Sequence, residues 1–232
     1  MGQLDGQAAV VTGTAQGIGR AIADLLESHG ATVHRVDKDT VDLRDPRAVD
    51  AFFTALGELH ILVNDAGGVQ GQTHTPIDEL TDAAWDAVLD ANLRTTLNCT
   101  RAAARLMKPA RYGRIVNISS GAGRSVSLTG IQAYTSSKAA QIGFTRQMAH
   151  ELGPHGITVN CIAPGFVLSN PTTQAQWDSY GEEGQRALLE NIPARRTGQP
   201  HDIARGVLFF AAPDADWISG QTISIDGGHS LF

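Results

Sequence analysis

Short apolar runs alternate along the chain with longer segments in which apolar residues recur three and four positions apart. The short runs have the length of strands, and most are apolar throughout, which is typical of parallel strands covered on both faces. Seven strands are predicted, over residues 8–12, 31–36, 40–43, 60–63, 114–118, 157–162 and 222–225. The pattern therefore predicts an α/β fold, a doubly wound parallel sheet of about seven strands with helices on both faces.

The longer segments predict helices between these strands. The first carries Ile18 and Ile22 on one face, and a second begins at Pro46, a favourable residue at the first position of a helix. Further helices are predicted over residues 81–108, 131–152 and 200–211. The polar segment 166–198 is predicted to be a substrate-covering loop with one or two short helices. Because no linker composition separates these elements, residues 1–232 are predicted to form a single domain.

A glycine-rich turn links the first predicted strand to the first predicted helix. Its glycines allow a pyrophosphate to approach the backbone, and the helix N-terminus offers unpaired N–H groups and positive potential. A tight turn without a ligand is the alternative, and the position after the first strand makes it the weaker one. The turn therefore predicts a dinucleotide site formed by Gly13, Gln16, Gly17, Ile18 and Gly19.

Asp37 stands at the end of the second predicted strand, where a carboxylate can accept hydrogen bonds from both hydroxyls of an adenosine ribose. A solvated loop aspartate is the alternative. Because a 2′-phosphate there would meet a like charge, Asp37 predicts NAD as the cofactor, although the neighbouring Lys38 is able to neutralise a phosphate. Asp42 and Leu43 are predicted to hold the adenine edge, while Asp42 is also typical of a residue that leads into a helix.

Tyr134 and Lys138 are four residues apart in a predicted helix, so the phenol and the ammonium lie on one face. Such a pair by itself is more typical of a solvated surface. Ser119 and Ser120, however, end a predicted strand, at the edge where open α/β sheets bind ligands. Asn92 lies in a predicted helix that follows another such strand.

This set of residues suits the oxidation of an alcohol. The reaction needs a base for the hydroxyl proton, and a phenol with an ordinary pKa of about 10 must be shifted by about 3 units to act near pH 7. A nearby ammonium acts in that direction, as would the positive ring of a bound nicotinamide. A serine hydroxyl would then orient the substrate oxygen, and an asparagine would hold a water that relays protons outward.

Taken in order, these motifs resemble the short-chain dehydrogenase/reductase family in its short-subunit form, over essentially the whole chain. The resemblance implies a Rossmann-like domain. It implies a catalytic tetrad of Asn92, Ser120, Tyr134 and Lys138, with Tyr134 as the acid/base and Lys138 also binding the nicotinamide ribose. It also implies cofactor contacts from Asn64, Ala66, Gly67, Pro164, Gly165, Val167 and Ser169.

Three departures from the family pattern bear on this site. The serine stands one residue further from the tyrosine than is common, which keeps Ser119 as an alternative to Ser120. Asp65 replaces a frequent asparagine, at a position expected to face less of the cofactor. Only a few residues join the second and third predicted strands, so the helix usual there is expected to be absent and the adenine pocket more open.

Composition narrows the function further. The chain has 18 basic and 24 acidic side chains, a net charge of −6, which argues against nucleic acid as the main partner. Cys99 and Cys161 lie in apolar stretches and are predicted core residues. The N-terminus lacks a signal-peptide pattern, the longest apolar run, 207–212, is too short to cross a membrane, and the histidines show no metal-ligand spacing. A cytoplasmic enzyme without a metal or a membrane partner is expected.

The sequence thus predicts an NAD(H)-dependent oxidoreductase that transfers a hydride between the nicotinamide and a secondary alcohol or ketone. The substrate is predicted to be small and polar, because polar residues dominate the expected pocket segments 68–76, 121–133 and 168–197. An NADPH-dependent 3-oxoacyl-thioester reductase and a non-catalytic nucleotide-binding regulator are the alternatives. By the resemblance a homotetramer is expected, with a dimer as second choice, assembled through helix faces and the tail that ends at Phe232.

Overall fold

The strands form one parallel sheet in the residues that the computed structural model describes, 2–127 and 129–231. There are six of them: β1 Ala8–Thr12, β2 Thr32–Val36, β3 Ile61–Asn64, β4 Gly113–Ile118, β5 Ile157–Pro164 and β6 Thr222–Ile225. Their order across the sheet is β2-β1-β3-β4-β5-β6, and all neighbours are parallel. Met1, Leu128 and Phe232 lie outside the described residues, so the predicted contact of the last tail residue and one position of the segment 121–133 lie outside them too.

The very short strand predicted over residues 40–43 is a turn. The backbone N–H groups of Thr40 and Val41 both donate to the carbonyl oxygen of Asp37, at 2.9 and 3.1 Å, so the turn takes the hydrogen bonds that a strand would need. Leu43 is buried in the core through its side chain, which accounts for the apolar signal of the segment. The described sheet therefore has six strands instead of about seven, while the doubly wound parallel architecture is confirmed.

Nine α-helices flank the sheet in the described residues: α1 Gly17–Ser28, α2 Pro46–Leu56, α3 Asp82–Leu89, α4 Thr95–Ala110, α5 Gly121–Arg124, α6 Gln132–Leu152, α7 Pro171–Ser179, α8 Gly181–Asn191 and α9 Pro200–Ala211. The helix predicted over 81–108 is interrupted, because a π-helical turn, Asp90–Arg94, joins α3 to α4 and carries Asn92. Such turns widen a helix by one residue and recur at functional sites.

Two helices, α7 and α8, occupy much of the polar segment 166–198. Asn170 fixes the start of α7, because its side chain accepts a hydrogen bond from the backbone of Thr173 at 3.0 Å and its own backbone N–H donates to the Thr173 hydroxyl at 3.1 Å. This reciprocal cap satisfies N–H groups that the first turn of a helix leaves unpaired.

Each face of the sheet carries its own core. On one face α1 and α9 pack together around Ile22, Leu26 and Phe210. On the other face α2, α4 and the end of α6 cover Phe53 and Met107. Because both faces are covered, β1, β3 and β4 are buried along their whole length. The carboxyl ends of these parallel strands lie at one edge, where the loops are free to build a site.

Truncation of Phe210 should destabilise the protein far more than truncation of Phe209. Phe210 is 1% exposed in the core beneath α9, whereas Phe209 on the same helix is 52% exposed. Phe210→Ala is expected to lower the free energy of unfolding by about 3–5 kcal/mol, and the matched control Phe209→Ala by less than about 1.5 kcal/mol. Urea unfolding followed by circular dichroism measures both losses. Equal losses would contradict this account of the core.

Candidate active site

The side chains predicted from the sequence gather at the carboxyl edge of the sheet. The glycine turn follows β1, Asp37 follows β2, the loop 65–68 follows β3 and the serine pair follows β4. Tyr134 and Lys138 come to the same edge from α6. Four consecutive strands of the sheet therefore contribute to one site.

Close packing explains the glycines of the turn. Gly13 and Gly17 have φ values of 79° and 61°, a conformation that favours glycine. A Cβ on Gly19 would overlap the carbonyl oxygen of Gly13, and a Cβ on Gly13 would stand 3.1 Å from the backbone of Ala66. The turn thus keeps its backbone against the first turn of α1, the arrangement that accepts a pyrophosphate.

Gln16 and Ile18 contribute differently to this turn. Gln16 is exposed, and its backbone is extended immediately before α1. Ile18 is half-buried, and its side chain packs against the core that α1 shares with α9. The side chain of Ile18 therefore anchors the helix, while Gln16 remains at the surface of the turn.

Asp37 reaches across to the glycine turn. Its Oδ2 accepts a hydrogen bond from the backbone of Ala15 at 2.8 Å, and its Oδ1 accepts one from the backbone of Lys38 at 2.8 Å. Arg35, the nearby guanidinium on β2, is turned the other way and pairs with Asp24 at 2.5 Å. The end of β2 therefore presents a fixed carboxylate beside the turn.

The side chains of Asp42 and Leu43 are engaged elsewhere. Asp42 forms an ion pair with Arg44 at 2.9 Å, and this guanidinium lowers the pKa of the Asp42 carboxyl. Leu43 is buried in the core, and its carbonyl oxygen accepts a hydrogen bond from Asn98 at 3.0 Å. Neither side chain lies at the glycine turn. Any contact of Asp42 and Leu43 with an adenine would therefore be made by their backbone atoms.

Thr12 ties the glycine turn to the loop after β3. Its Oγ1 accepts hydrogen bonds from the backbone N–H groups of Asp65 and Ala66, both at 3.0 Å, and donates to the carbonyl oxygen of Val63 at 3.3 Å. Sequence reasoning assigned Thr12 no role. The sequence feature that could have indicated this role is a hydroxyl-bearing residue at the last position of an otherwise apolar strand.

Asn64 faces the interior instead of the site. Its Nδ2 donates to Oδ1 of Asn117 at 2.8 Å and to the hydroxyl of Thr100 at 3.2 Å. Asn117 in turn donates to the hydroxyl of Thr145 on α6, at 2.9 Å. The Asn64 side chain therefore joins β3 to β4 and α4, and Ala66 and Gly67 are left to face the edge.

The hydroxyl of Ser120 lies near the phenol of Tyr134, close enough to lower the pKa of that phenol. The same Oγ accepts from the backbone of Ala122 at 3.2 Å, which caps α5. Ser119 is buried, and its hydroxyl donates to the backbone carbonyl of Lys138 at 2.7 Å. Ser120 therefore lies beside the phenol, whereas Ser119 holds α6 against the end of β4.

Lys138 is a buried cation, 4% exposed. Its Nζ donates to the carbonyl oxygen of Ile118 at 2.9 Å and stands 5.7 Å from the centre of the Tyr134 ring. Desolvation lowers the pKa of the Lys138 ammonium, and the negative charge of Asp65 acts in the opposite direction.

Asn92, in the π turn, holds the loop after β3 through side-chain hydrogen bonds. Its Oδ1 accepts from the backbone of Gly68 at 3.1 Å, and its Nδ2 donates to the carbonyl oxygens of Gly68 and Val88, both at 2.8 Å. Its own carbonyl oxygen accepts from Thr96 at 2.8 Å and from Gln141 on α6 at 3.2 Å. Because the π turn frees backbone groups of the helix, α6 can bond to it directly.

The segment after β5 returns to the glycine turn. Gly165 packs so closely on Asp226 that a Cβ would stand 2.6 Å from that side chain. Val167 is buried, and the carbonyl oxygen of Ser169 lies 2.8 Å from where a Cβ of Gly17 would stand. The cofactor residues predicted here, from Pro164 onward, therefore lie on a path between β5 and the turn.

Asp65 lies closer to the turn than was expected. Its Oδ2 is 2.8 Å from where a Cβ of Gly19 would stand, and the backbone of Gly19 acts to lower the pKa of the carboxyl. Desolvation raises the pKa of Asp65 despite the opposing charge of Lys138. The replacement of a frequent asparagine was a visible signal, but the direction of the side chain was not readable from the sequence.

Burial also governs Tyr134. Desolvation raises the pKa of the phenol above its ordinary value, the neighbouring Ser120 hydroxyl lowers it, and the charge of Asp65 raises it. The net shift is upward, opposite to the downward shift argued from the sequence, because burial outweighs the neighbouring groups. The phenol is therefore held in its protonated form, next to a serine hydroxyl with which it can share one substrate oxygen.

In the part of the chain that the structure describes, no group of three or more His, Cys, Asp and Glu side chains is arranged to hold a metal ion. Within the same residues, none of the helices combines the length and the apolar character that crossing a membrane requires.

Known proteins match the chain over nearly its whole length. A family model described as enoyl-(acyl carrier protein) reductase matches residues 39–230. The 3-oxoacyl-[acyl-carrier-protein] reductase FabG of Vibrio harveyi is 33% identical, over 97% of this chain and 98% of its own. A putative gluconate dehydrogenase from Agrobacterium tumefaciens superposes with a TM-score of 0.89 at 31% identity, covering 99% of this chain and 98% of that one. A short-chain type dehydrogenase/reductase from Mycobacterium ulcerans gives 0.90 at 26% identity, covering 97% and 90%.

The chain belongs to the short-chain dehydrogenase/reductase family. It is therefore an oxidoreductase of this type, from a family that binds a nicotinamide cofactor. The glycine turn fits such a dinucleotide, because close packing at Gly13, Gly17 and Gly19 holds the backbone of the turn at the N-terminus of α1. The fit is less simple at Asp65, which brings a carboxylate against the same turn.

Gly19→Ala should abolish the dinucleotide site. The added Cβ would overlap a backbone oxygen of Gly13, which cannot move aside like a flexible side chain. We expect NADH affinity to fall by more than about tenfold, together with some loss of thermal stability. Gly153→Ala is the matched control, since nothing lies within 4 Å of a Cβ there. Fluorescence titration with NADH measures both variants, and unchanged binding by Gly19→Ala would show that the turn does not hold the dinucleotide.

Proposed function

We propose that the protein is an NAD(H)-dependent dehydrogenase or reductase that interconverts a secondary alcohol and a ketone. The observation that carries this proposal is the juxtaposition of Tyr134, Ser120 and Lys138 at the carboxyl edge of the sheet. A phenol and a neighbouring serine hydroxyl can both reach a single substrate oxygen, and a buried ammonium lies beside the phenol ring.

Each of these side chains has a distinct task. Tyr134 donates its proton to the carbonyl oxygen in reduction and removes the hydroxyl proton in oxidation. Ser120 orients the same oxygen. The Lys138 ammonium favours the phenolate electrostatically and would bind the nicotinamide ribose, while the glycine turn and Asp37 would hold the adenosine end. The bound nicotinamide supplies or accepts the hydride. Asn92 holds the loop after β3 in place beside them.

The protonation state of Tyr134 bears on the direction of the reaction. Its raised pKa keeps the phenol protonated, which is the form that reduction of a carbonyl uses. Oxidation needs the phenolate, so it should be favoured as pH rises.

Tyr134→Phe is expected to lower turnover by at least about a hundredfold, because it removes the phenol oxygen that moves the proton. NADH binding should change by less than about threefold, because the ring itself remains. Tyr112→Phe is the matched control, since Tyr112 immediately precedes β4, at the opposite edge of the sheet. Turnover and NADH titration of both variants test the assignment. Retention of more than a few per cent of activity in Tyr134→Phe would show that another group is the acid/base.

We propose NAD(H) as the preferred cofactor because of the charges around the ribose position. Asp37 is fixed beside the turn, and a 2′-phosphate there would meet its negative charge. Arg35, the cation that would relieve this repulsion from β2, is held by Asp24 and Glu27. Loss of a charge-assisted hydrogen bond costs about 1.5–3 kcal/mol, which corresponds to more than about tenfold in affinity.

The cofactor preference is tested by kcat/KM for NADH and NADPH in the parent and in Asp37→Ala. The parent should prefer NADH by at least about tenfold, and Asp37→Ala should lose most of that preference. Asp39→Ala is the control, because it removes an exposed carboxylate two residues away. Equal use of both cofactors by the parent would contradict the role of Asp37.

The substrate class is proposed from the polar segments that border the edge. They favour a small polar alcohol or ketone, and the similarity to a putative gluconate dehydrogenase supports this. A 3-oxoacyl-thioester reductase is the second candidate, because a 3-oxoacyl-[acyl-carrier-protein] reductase is among the similar proteins. A turnover screen over polyols, sugars, hydroxy acids and 3-oxoacyl thioesters distinguishes the two, and turnover of any of them argues against a non-catalytic regulator.

A homotetramer is proposed for the assembly, with a dimer as second choice. A groove of about 400 Å³ lies open between α4 and α6, with Leu97, Phe144 and Met148 along it, and Leu97 is 40% exposed. Light scattering at micromolar concentration should give four times the chain mass of 24.6 kDa. Leu97→Glu should lower that mass, because it places a charge on the apolar groove. A monomer in the parent would contradict the proposal.

A further inference from the structure

Asp65 places a carboxylate on the first turn of α1. Its backbone N–H is held by Thr12, and its Oδ2 lies 2.8 Å from where a Cβ of Gly19 would stand. The backbone of Gly19 acts to lower the pKa of this carboxyl. Helix N-termini attract anions, and here the chain supplies one of its own next to the turn that would bind a dinucleotide pyrophosphate.

Charged and titratable groups face Asp65 from each neighbouring element. Asp37 lies at the end of β2, Lys138 and Tyr134 lie on α6, and the first turn of α1 contributes the backbone of Gly19. Desolvation raises the pKa of Asp65 to about 7, Lys138 and Gly19 act to lower it, and Asp37 acts to raise it. This carboxyl group is therefore already poised between its two forms near neutral pH.

A dinucleotide brings two negative phosphate groups to this turn. An ionised Asp65 would stand among those charges with Asp37 close by, in a site that the ligand itself shields from water. Like charges in such surroundings favour the neutral form of the group that is easiest to protonate. Both carboxylate oxygens of Asp37 already accept hydrogen bonds, from the backbone N–H groups of Ala15 and Lys38, whereas burial acts on Asp65, so Asp65 is the carboxyl expected to take up the proton.

We propose that Asp65 takes up a proton when the dinucleotide binds, so that cofactor affinity falls as pH rises. This inference rests on the dinucleotide site of the proposed function. In the binding step, the Asp65 carboxylate and one solvent proton become a carboxylic acid, and no bond of the dinucleotide changes. The neutral acid keeps its place beside Gly19, and Thr12 still accepts from the backbone of Asp65, so the turn retains its shape.

Calorimetric titration with NADH tests the proposal directly. The titration is run at about pH 8 in buffers of different ionisation enthalpy, which gives the number of protons taken up. The parent should take up close to one proton, and its Kd should rise by up to about tenfold for each pH unit above about 7. Asp65→Asn should bind NADH with no proton uptake and with a nearly constant Kd. Asp37→Asn, the control, should bind more weakly but still take up the proton.

The outcomes separate this inference from the proposed function. Binding without proton uptake in the parent would overturn the role of Asp65 and leave the dinucleotide site intact. Uptake that persists in Asp65→Asn would assign the proton to another group, such as Lys138, and would also overturn it. A parent that binds no NADH at any pH would overturn the dinucleotide site itself, and this inference with it.

The pH dependence of unfolding gives a second readout that needs no ligand. Because the pKa of Asp65 is raised in the folded protein, the native state binds more protons than the unfolded state between about pH 4 and about pH 7, and stability falls as pH rises through that range. Asp65→Asn removes this dependence. Its gain in Tm over the parent should therefore grow from about pH 5 to about pH 8, and an equal gain at both values would count against a raised pKa in the native state.

Discussion

The ammonium of Lys138 is almost wholly removed from water, and a charge in that position needs partners because desolvation costs several kcal/mol. The carbonyl oxygen of Ile118 accepts one of its hydrogen bonds, and Asp65 provides the opposite charge while its carboxyl is ionised. Asp65 in turn touches the glycine turn through Gly19. The buried cation thus links α6, the end of β4 and the turn electrostatically, and the phenol of Tyr134 titrates within that linked set.

Polar contacts inside the protein fix α6 so that this set keeps its geometry. Ser119 donates to the carbonyl oxygen of Lys138, Asn117 donates to Thr145, and Gln141 bonds to the π turn at Asn92. Buried polar groups of this kind are costly when unpaired, so each of them favours one position of the helix. The same side chains that complete the fold therefore hold the phenol and the ammonium in place.

The sequence predicted those features that depend on residues close together in the chain. These are the glycine turn, the ends of the strands and the spacing of Tyr134 and Lys138, and the structure brings all of them to the carboxyl edge of the sheet. The prediction of a strand at 40–43 was wrong, because the backbone turns at Asp37 and only the side chain of Leu43 packs into the core. The π turn at Asn92 contacts α6, and the side chain of Asp65 lies against Gly19. Both contacts join residues that are distant in sequence, so no periodicity or spacing in the sequence indicates them.

Isotope transfer is the sharpest test of hydride transfer at this edge. NADH carrying deuterium at C4 of the nicotinamide is incubated with the protein and a panel of polar ketones, and the alcohol is analysed by mass spectrometry and NMR. Deuterium is expected on the carbinol carbon, delivered from one face of the nicotinamide. Binding of the labelled NADH without label in any alcohol, or label lost to water, would contradict it.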